Sequence, residues 1–518
     1  MSSANNLDPL EQEQRFTALK ATLVEQITSQ FSTSSELAKA LIEKRFSGEQ
    51  NSYAWLWNDS PSEEEQEQEK LFALEQRLNE KGLVLEGADF PSVNGSFEWD
   101  YRALLNCIPK IYFVRCHFYN DGLPDASGAY ISFSECTFYA DWRINGAQAA
   151  EDIGPLFDQC CFKQKVELTP DERGMSPLMG YTSVFSGCEL NELILDGVTL
   201  DIPLFPPLAE KGMGLARLEL KNSTLQQKLM IRNLKGVKSV TFVSTVFENK
   251  FAMLRCQCEK FFAEDTNFNG LTDFYKTRFD DFQMEKTIFR EFAGFEKCTF
   301  GLAGSVSKSP VTLRYVTFYS FINFRAAYFN QALDLRDTNS QQQPNFLDAE
   351  FSDTAKKSTD RETFRIIKHS FDAVGNRIEA HKYFAYEMQA YRRELKASKA
   401  KKKPGNRRER ILLALNAAIS SHGQDYGKAL AWLLAAVAIN AVVLANHQYQ
   451  WWLLPEPIQN ALWNIAALAN GFANGFLPLR SLLGDELQPL AFWVLIAMVI
   501  ISTLTWHVLV AIRRHARR

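Results

Sequence analysis

Residues 268 to 300 read FNGLTDFYKTRFDDFQMEKTIFREFAGFEKCTF, and this stretch decides the fold. Its large apolar residues recur every five positions, with one extra residue before the last two: Phe274, Phe279, Met284, Phe289, Phe295 and Phe300. An α-helix repeats its buried face every ~3.6 residues and a β-strand every ~2, so a period of five fits neither. The period predicts a chain that turns a corner every five residues, with each large side chain pointing into a common axis.

A small residue stands two positions before most of these large residues. The set is Thr272, Thr277, Thr287, Ala293 and Cys298. Small and large inward residues that alternate along a narrow coil can fill the interior of a solenoid, in which each coil contacts its neighbours. The stretch therefore predicts a β-solenoid.

The same pattern recurs earlier in the chain as F-x-x-C-x-F or F-x-x-C-x-L. Its four copies are Phe113, Cys116 and Phe118; Phe133, Cys136 and Phe138; Phe157, Cys160 and Phe162; and Phe185, Cys188 and Leu190. Their starts lie 20, 24 and 28 residues apart, which indicates successive coils with growing insertions. Later pairs of a small and a large residue are Thr245 with Phe247, Thr266 with Phe268, Val316 with Phe318, and Ala327 with Phe329.

This pattern resembles the pentapeptide-repeat family. The resemblance implies a right-handed quadrilateral β-helix with four five-residue sides and about 20 residues per coil. We place this mainly β solenoid at residues 96–345. The predicted solenoid core is Phe113, Cys116, Phe118, Phe133, Cys136, Phe138, Cys160, Phe162, Cys188, Leu190, Phe247, Phe268, Phe274, Phe279, Phe289, Phe295, Cys298, Phe300, Phe318 and Phe329.

Residues 1–95 are predicted to form an N-terminal helical cap. Apolar spacing and helix-start residues predict three helices, at residues 10–29, 34–46 and 60–78. A cap is expected because an uncovered solenoid end exposes apolar core and unpaired strand edges. Trp55 and Trp57 are predicted to anchor the helices to the solenoid end, with binding of a partner as the alternative.

Residues 346–420 are predicted to form a helical hairpin, a basic linker and an interfacial helix. The segment resembles the F-R-x-x-K, G-N-x-x-E-A and Y-F-x-x-E-M motifs that follow pentapeptide repeats in bacterial membrane proteins. The matching residues are Phe364, Arg365, Lys368, Gly375, Asn376, Glu379, Ala380, Tyr383, Phe384, Glu387 and Met388. We interpret Glu387, with Tyr391 and Arg392, as a solvated helix face rather than as part of a catalytic site.

Composition and motifs narrow the class of protein. The 518 residues are 46% hydrophobic and carry a net charge of −4, which is ordinary for a folded protein and predicts no nucleic-acid partner. The N-terminal residues lack the basic and apolar regions of a secretory signal. The seven histidines form no H-E-x-x-H pair, and no dinucleotide or G-x-S-x-G motif is present. We therefore expect no enzymatic activity, cofactor or metal.

The nine cysteines are predicted to be buried and reduced. Five of them occupy the small inward position of the repeat: Cys116, Cys136, Cys160, Cys188 and Cys298. Cys256 and Cys258 form C-x-C without a second pair at zinc-finger spacing. A reducing compartment is expected for this part of the chain.

Residues 421–518 are predicted to form a two-helix transmembrane hairpin with a re-entrant-like loop. The two spans are residues 429–446, interrupted by Asn440, and residues 490–512. Eight basic residues lie within 396–410 and four follow the second span, whereas the loop between the spans has Arg480 alone. This asymmetry predicts a cell (inner) membrane protein with both termini in the cytoplasm, where anionic lipid headgroups would contact the basic linker and the C-terminus.

The loop between the spans also contains a candidate pore loop. Its residues are Asn470, Gly471, Phe472, Asn474, Gly475 and Phe476. A span, a short apolar helix, a glycine-rich turn and a second span occur in this order in two-span ion channels. A T-V-G-Y-G type filter is absent. The alternative is an interfacial helix on the outer leaflet.

Three functions remain open at this point. The favoured one is a membrane-anchored cytosolic interaction scaffold, whose partner is another protein or further copies of the chain. The first alternative is a two-span, oligomeric, ion-channel-like protein in which the solenoid is a regulatory or assembly domain. The second alternative is a DNA-mimicking, topoisomerase-binding protein, which the pentapeptide-repeat resemblance suggests but which requires a strongly acidic rod.

Overall fold

The computed structural model describes most of the chain and divides it into two compact units. The described residues are 9–46, 63–91, 110–122, 126–144, 147–148, 154–170, 178–206, 213–301, 309–400, 407–449 and 490–516. The first unit is Met1–Ser358 and the second is Thr359–Arg518.

Among the described residues, three helices precede the solenoid in the first unit: α1 (Pro9–Phe31), α2 (Ser35–Phe46) and α3 (Glu63–Lys81). Each buries an apolar stripe at helical spacing, because residues three and four apart lie on one face. The stripe of α1 is Phe16, Leu19, Leu23, Ile27 and Phe31. Gly82, at φ 78°, ends α3 in the left-handed conformation that favours glycine.

The prediction of a mainly β solenoid is confirmed, with about nine turns of parallel strands. The described strands form four sheets that run along the solenoid. The first sheet contains Leu83–Glu86, Lys110–Val114, Ala126–Ser134, Ala147–Gln148, Phe157–Asp158, Leu178–Met179 and Phe185–Ser186. The second contains Asp89–Phe90, His117–Phe118, Thr137–Phe138, Trp142–Ile144, Cys161–Leu168, Glu189–Asp196, Gly214–Lys221, Val237–Val243, Gln257–Glu264, Arg278–Glu285, Thr299–Phe300, Val311–Arg314, Tyr328–Phe329, Leu333–Asp334 and Glu350–Phe351.

The remaining two sheets consist mostly of two-residue strands. The third contains Thr199–Leu200, Thr224–Leu225, Val246–Phe247, Asn267–Phe268, Ile288–Phe289, Thr317–Phe318 and Asn339–Ser340. The fourth contains Leu229–Arg232, Phe251–Leu254, Thr272–Asp273, Ala293–Gly294 and Ile322–Asn323. Strands this short are consistent with a chain that turns a corner about every five residues. The right-handed quadrilateral shape remains a prediction.

Strand register stacks equivalent phenylalanines on one another. Phe118 pairs with Phe138, and Phe138 pairs with Phe162. Their rings stack with centroids 4.9 and 4.3 Å apart. The paired residues lie 20 and 24 positions apart in sequence. The four extra residues of the longer coil therefore lie between strands, and the stacked rings stay in register. Aromatic stacking therefore adds to the burial energy of each coil.

The corners of the coils place non-glycine residues in the left-handed region. The residue before most of the small inward residues has a positive φ, between 50° and 56° at Arg115, Glu135, Lys276 and Lys286. The small residue then hydrogen-bonds the backbone of the corner. Thr245 Oγ1, for example, donates to the carbonyl oxygens of Val243 and Leu220, each 3.1 Å away. A Cys or Thr at this position thus supplies a donor that an alanine lacks.

The solenoid extends beyond the predicted bounds of 96–345 at both ends. Strands begin at Leu83 and end at Phe351. Phe90 pairs with Phe118, and Phe351 pairs with Phe329, so both outer phenylalanines continue the second sheet. Each end contains one pair of a small and a large inward residue, Ala88 with Phe90 and Ala349 with Phe351. One such pair does not reveal a five-residue period. Residues 1–95, predicted as a helical cap, therefore also contain the first two strands of the solenoid, Leu83–Glu86 and Asp89–Phe90.

The N-terminal helices cover the first edge of the solenoid, as a cap requires. Two glutamines of α1 hydrogen-bond the backbone of the first strand, Leu83–Glu86. Gln30 accepts from Val84 N at 3.1 Å and donates to Val84 O at 2.6 Å. Gln26 makes the same pair of bonds with Glu86, at 3.0 and 2.6 Å. The two amides thereby take the place of a neighbouring strand at an otherwise open edge.

Replacing both Gln26 and Gln30 by alanine is expected to expose this edge. Each amide makes two hydrogen bonds, and a typical hydrogen bond contributes about 1 kcal/mol to stability. We expect the free energy of unfolding to fall by about 2 to 4 kcal/mol, a range that allows for the access of water to the site. We expect a lower unfolding temperature and concentration-dependent self-association, measured by light scattering on the full chain in detergent. Gln14→Ala, an exposed position on α1, is the control. Equal behaviour of the two variants would contradict edge capping.

In the part of the chain that the structure describes, six further helices follow the last strand. The first unit ends with α4 (Asp353–Ser358), which contacts the strand Glu350–Phe351. The second unit contains α5 (Arg361–Ala373), α6 (Arg377–Ala400), α7 (Arg407–Ser420), α8 (Tyr426–Tyr449) and α9 (Ala491–Ala516). Helix α5 starts at an N-cap, Asp360, whose side chain accepts from Thr363 N at 3.0 Å. The predicted helical C-terminal segment and two apolar helices are confirmed.

Candidate functional site

The predicted solenoid core residues lie in the interior and are not a ligand site. None of the twenty named phenylalanines, cysteines and leucine is more than 3% exposed. The rings of Phe247, Phe268, Phe289 and Phe318 stack at successive centroid distances of 4.9, 4.8 and 4.9 Å. Interiors packed in this way have few voids larger than a water molecule. Contacts with other molecules are therefore expected on the outer surface of the coils.

The inward cysteines use their thiols as hydrogen-bond donors. Cys136 Sγ lies 3.3 Å from Ser134 O and 3.5 Å from Phe113 O in the preceding coil. Burial raises the pKa of Cys256 to about 11 and that of Cys258 to about 12. A thiol with a raised pKa stays protonated at neutral pH, which disfavours nucleophilic and metal-binding roles. Cys161, by contrast, is half-buried, with Sγ 3.5 Å from Glu189 Oε2.

Glu387 is the centre of a charge cluster, and its interpretation as part of a solvated helix face was wrong. Glu387 is 4% exposed. Its carboxylate faces three cations of α5, with Lys368 Nζ at 3.0 Å, Arg365 Nε at 3.4 Å and Arg361 Nε at 3.9 Å. The three cations recur at helical spacing on one face of α5, which packs against α6. A carboxylate can be buried there because the facing helix supplies its counter-charges.

Two hydrogen bonds tie α6 to the helices that follow it. Tyr391, whose ring also lies 3.9 Å from the Arg361 guanidinium, donates to Glu409 Oε2 of α7 at 2.5 Å. Gln424, in the turn between α7 and α8, donates to His381 O at 2.6 Å. These bonds connect the charge cluster of the helical hairpin to the start of α8.

Helices α8 and α9 are long and apolar enough to cross a membrane. The qualifying segments are Tyr426–Val443, with a mean hydropathy of 1.6, and Ala491–Arg513, with a mean hydropathy of 2.3. Only 6% and 22% of these segments are buried, whereas the core helix of a soluble protein would be mostly buried. Their apolar side chains therefore require cover from another apolar phase or from other molecules.

Asn440 does not interrupt the first apolar helix, which is continuous from Tyr426 to Tyr449. Its side-chain Oδ1 accepts a hydrogen bond from Trp493 Nε1 of α9 at 3.0 Å. The helical backbone satisfies its own hydrogen bonds, so a single polar side chain need not break it. Here the side chain joins two helices.

Replacing Asn440 by alanine is expected to weaken the pairing of α8 with α9 by about 0.5 to 2 kcal/mol, the range for interhelical hydrogen bonds in membranes. The measurement is unfolding of the full chain in mixed micelles of increasing denaturing-detergent content. Thr503→Ala is the control, because the Thr503 hydroxyl donates to Val499 O within its own helix. The interhelical role of Asn440 is refuted if both variants unfold at the same detergent fraction.

The candidate pore loop, Asn470 to Phe476, lies outside the described residues, and so do Trp55, Trp57 and the linker residues 401–406. Within the described ranges, no group of three or more His, Cys, Asp or Glu side chains is placed to hold a metal ion. The outer surface of the solenoid, the helices around Glu387 and the two apolar helices are the described features considered further as contact surfaces.

Comparison with family models, curated proteins and solved structures finds no match to this chain. The solenoid fold and the two apolar helices therefore rest on the chain's own sequence and structure.

Proposed function

We propose that this protein is a membrane-anchored, non-enzymatic interaction scaffold of the pentapeptide-repeat type. The solenoid would present its outer surface in the cytosol, and α8 and α9 would hold it at the cell membrane. The observation that carries the proposal is the exposed apolar surface of α8 on the same chain as a filled solenoid. Val442, for example, is 68% exposed and Leu434 is 60% exposed.

Lipid is the environment that best accounts for α8 and α9. A hydrocarbon core of about 30 Å requires about 20 apolar residues in a helix, and the apolar segments of α8 and α9 have 18 and 23 residues. Their backbone groups are satisfied within the helix, as a span requires. The excess of basic residues before α8 and at the C-terminal end of α9 favours both termini in the cytoplasm, beside anionic headgroups.

The outer surface of the solenoid supports binding of a protein rather than mimicry of DNA. Arg255, Lys276 and Lys297 occupy equivalent left-handed corners of successive coils. They place a cation at the same corner of three successive coils, whereas a DNA mimic requires continuous negative charge. Tyr315, Tyr319 and Tyr328 are 37% to 55% exposed, and tyrosine is enriched in protein interfaces. The proposed partner is another protein or further copies of the chain.

The test combines membrane extraction with electrical recording on the full chain. We expect the protein to remain in the membrane pellet after an alkaline carbonate wash, because two spans are held by the hydrocarbon core. Purified protein in a planar bilayer should give no conductance. Release into the wash would refute the membrane anchor. Steady single-channel current from a particle of oligomeric mass would refute the scaffold and favour the ion-channel alternative.

A further inference from the structure

A basic cleft lies between α6 and the end of α7, apart from the charge cluster at Glu387. It has a volume of about 350 Å³. The lining residues are Gln389, Arg392, Arg393, Lys396, Ala417, Ser421 and His422. Three of them are cations, and none of the described residues that line the cleft is acidic. Three positive charges around one concave space favour an anion.

The cations of this cleft differ from those that face Glu387. Arg361, Arg365 and Lys368 face the buried carboxylate of Glu387, so each of them already has an anionic partner. Arg393 instead donates to a backbone carbonyl, Thr359 O, at 2.7 Å, which fixes the position of its guanidinium. Burial lowers the pKa of Arg393, since the charged form loses hydration. An anion bound in the cleft would stabilise the positive charge of the Arg393 guanidinium.

The cleft lies next to the proposed membrane boundary. Ser421 and His422 belong to the turn between α7 and α8, and the apolar segment of α8 begins at Tyr426. Ile411, Leu412 and Leu415 of helix α7 are 51%, 64% and 52% exposed. A helix with exposed apolar side chains beside a span is suited to the membrane interface. Exposed apolar side chains and the cations of the cleft therefore occur together, as the acyl chains and the headgroup of a lipid would require.

We propose that this cleft binds a phosphate group, and that the phosphate is that of an anionic lipid headgroup. An arginine guanidinium group presents parallel N–H donors that match the oxygens of a phosphate. Arg392 and Arg393 supply two guanidinium groups to the cleft. Lys396 adds a third positive charge, while Gln389 and Ser421 offer neutral hydrogen bonds. A phosphate monoester, with a charge of about −1.5 to −2, suits three cations better than a singly charged diester. The lipid source rests on the proposed membrane anchoring.

The test measures binding of short-chain phosphatidic acid, a lipid phosphate monoester, to the full chain in an uncharged detergent. The site variant is the double substitution Arg392→Gln and Lys396→Gln. Its matched control, Arg377→Gln with Lys382→Gln, removes two charges from the same helix outside the cleft. We expect the site variant to weaken binding by about tenfold or more, because hydrogen bonds between charged groups and phosphate are the strong class. The control should change binding by less than about twofold, as exposed charges contribute little.

Three further measurements distinguish the possible outcomes: binding of phosphatidylcholine, competition by inorganic phosphate, and carbonate extraction of the variants. Short-chain phosphatidylcholine should bind much more weakly than phosphatidic acid, and inorganic phosphate should compete only at far higher concentration. Inorganic phosphate that binds as tightly as the lipid would overturn the lipid source. An equal loss in the site and control variants, or no binding by the parent chain, would overturn the site. Both variants should resist carbonate extraction, so failure of the cleft is distinguishable from failure of the membrane anchor.

Discussion

Truncating Phe329 to alanine is expected to lower the free energy of unfolding of the solenoid by about 3 to 5 kcal/mol. Phe329 is fully buried, and its ring stacks between Phe300 at 5.0 Å and Phe351 at 4.7 Å. Alanine would remove contacts with both neighbouring coils and leave a cavity that stacked coils cannot collapse to fill. The change is measured by thermal and chemical unfolding of the full chain.

The adjacent residue provides a matched control for this prediction. Tyr328 lies in the same two-residue strand but is 37% exposed. Tyr328→Ala should cost well under half as much, because the solvent already reaches part of its ring. Similar losses at the two positions would contradict the assignment of inward and outward faces.

Replacing Glu387 by alanine is expected to destabilise the second unit by about 2 to 3 kcal/mol. Removing one partner of a fully buried ion pair typically costs about 3 to 5 kcal/mol. The figure is reduced here because the side chains of Arg361, Arg365 and Lys368 remain 26% to 44% exposed and water can solvate them. Thermal unfolding of the full chain, followed by near-ultraviolet circular dichroism of the α5–α6 tyrosines, measures the change.

Glu362 is the control for the Glu387 prediction. It pairs with Arg365 at 3.0 Å from an exposed position on α5. Glu362→Ala should change stability by no more than about 1 kcal/mol. If the two substitutions had the same small effect, Glu387 would be a surface charge and the cluster would contribute little.

The solenoid could be predicted because its signal is local. Each inward position requires a large side chain, and Phe274 and Phe279 show that requirement within one short window of sequence. The ends were harder to place, since Phe90 and Phe351 each belong to a single incomplete repeat. Gln26 and Gln30 lie four residues apart on one face of α1, a spacing that shows the shared face but not the strand edge they contact.

The charge cluster could not be predicted because it depends on contacts between helices. Sequence shows Arg361, Arg365 and Lys368 at helical spacing, but it does not show that Glu387 of α6 packs against that face. A polar residue in a mostly polar helix is more often exposed, which favoured the solvated interpretation. The basic cleft has the same origin, because Ser421 and His422 join Arg392 only through tertiary packing.

The most direct test of the membrane-anchored scaffold is the sidedness of the full chain. A reporter that is active only in the cytoplasm is fused at Met1, fused at Arg518, or inserted after Gln459, in the segment of sequence between α8 and α9. Two spans with basic residues outside the loop predict activity at both termini and none at Gln459. Cytoplasmic activity at Gln459 would contradict the transmembrane hairpin, and loss of activity at Met1 would remove the solenoid from the cytosol.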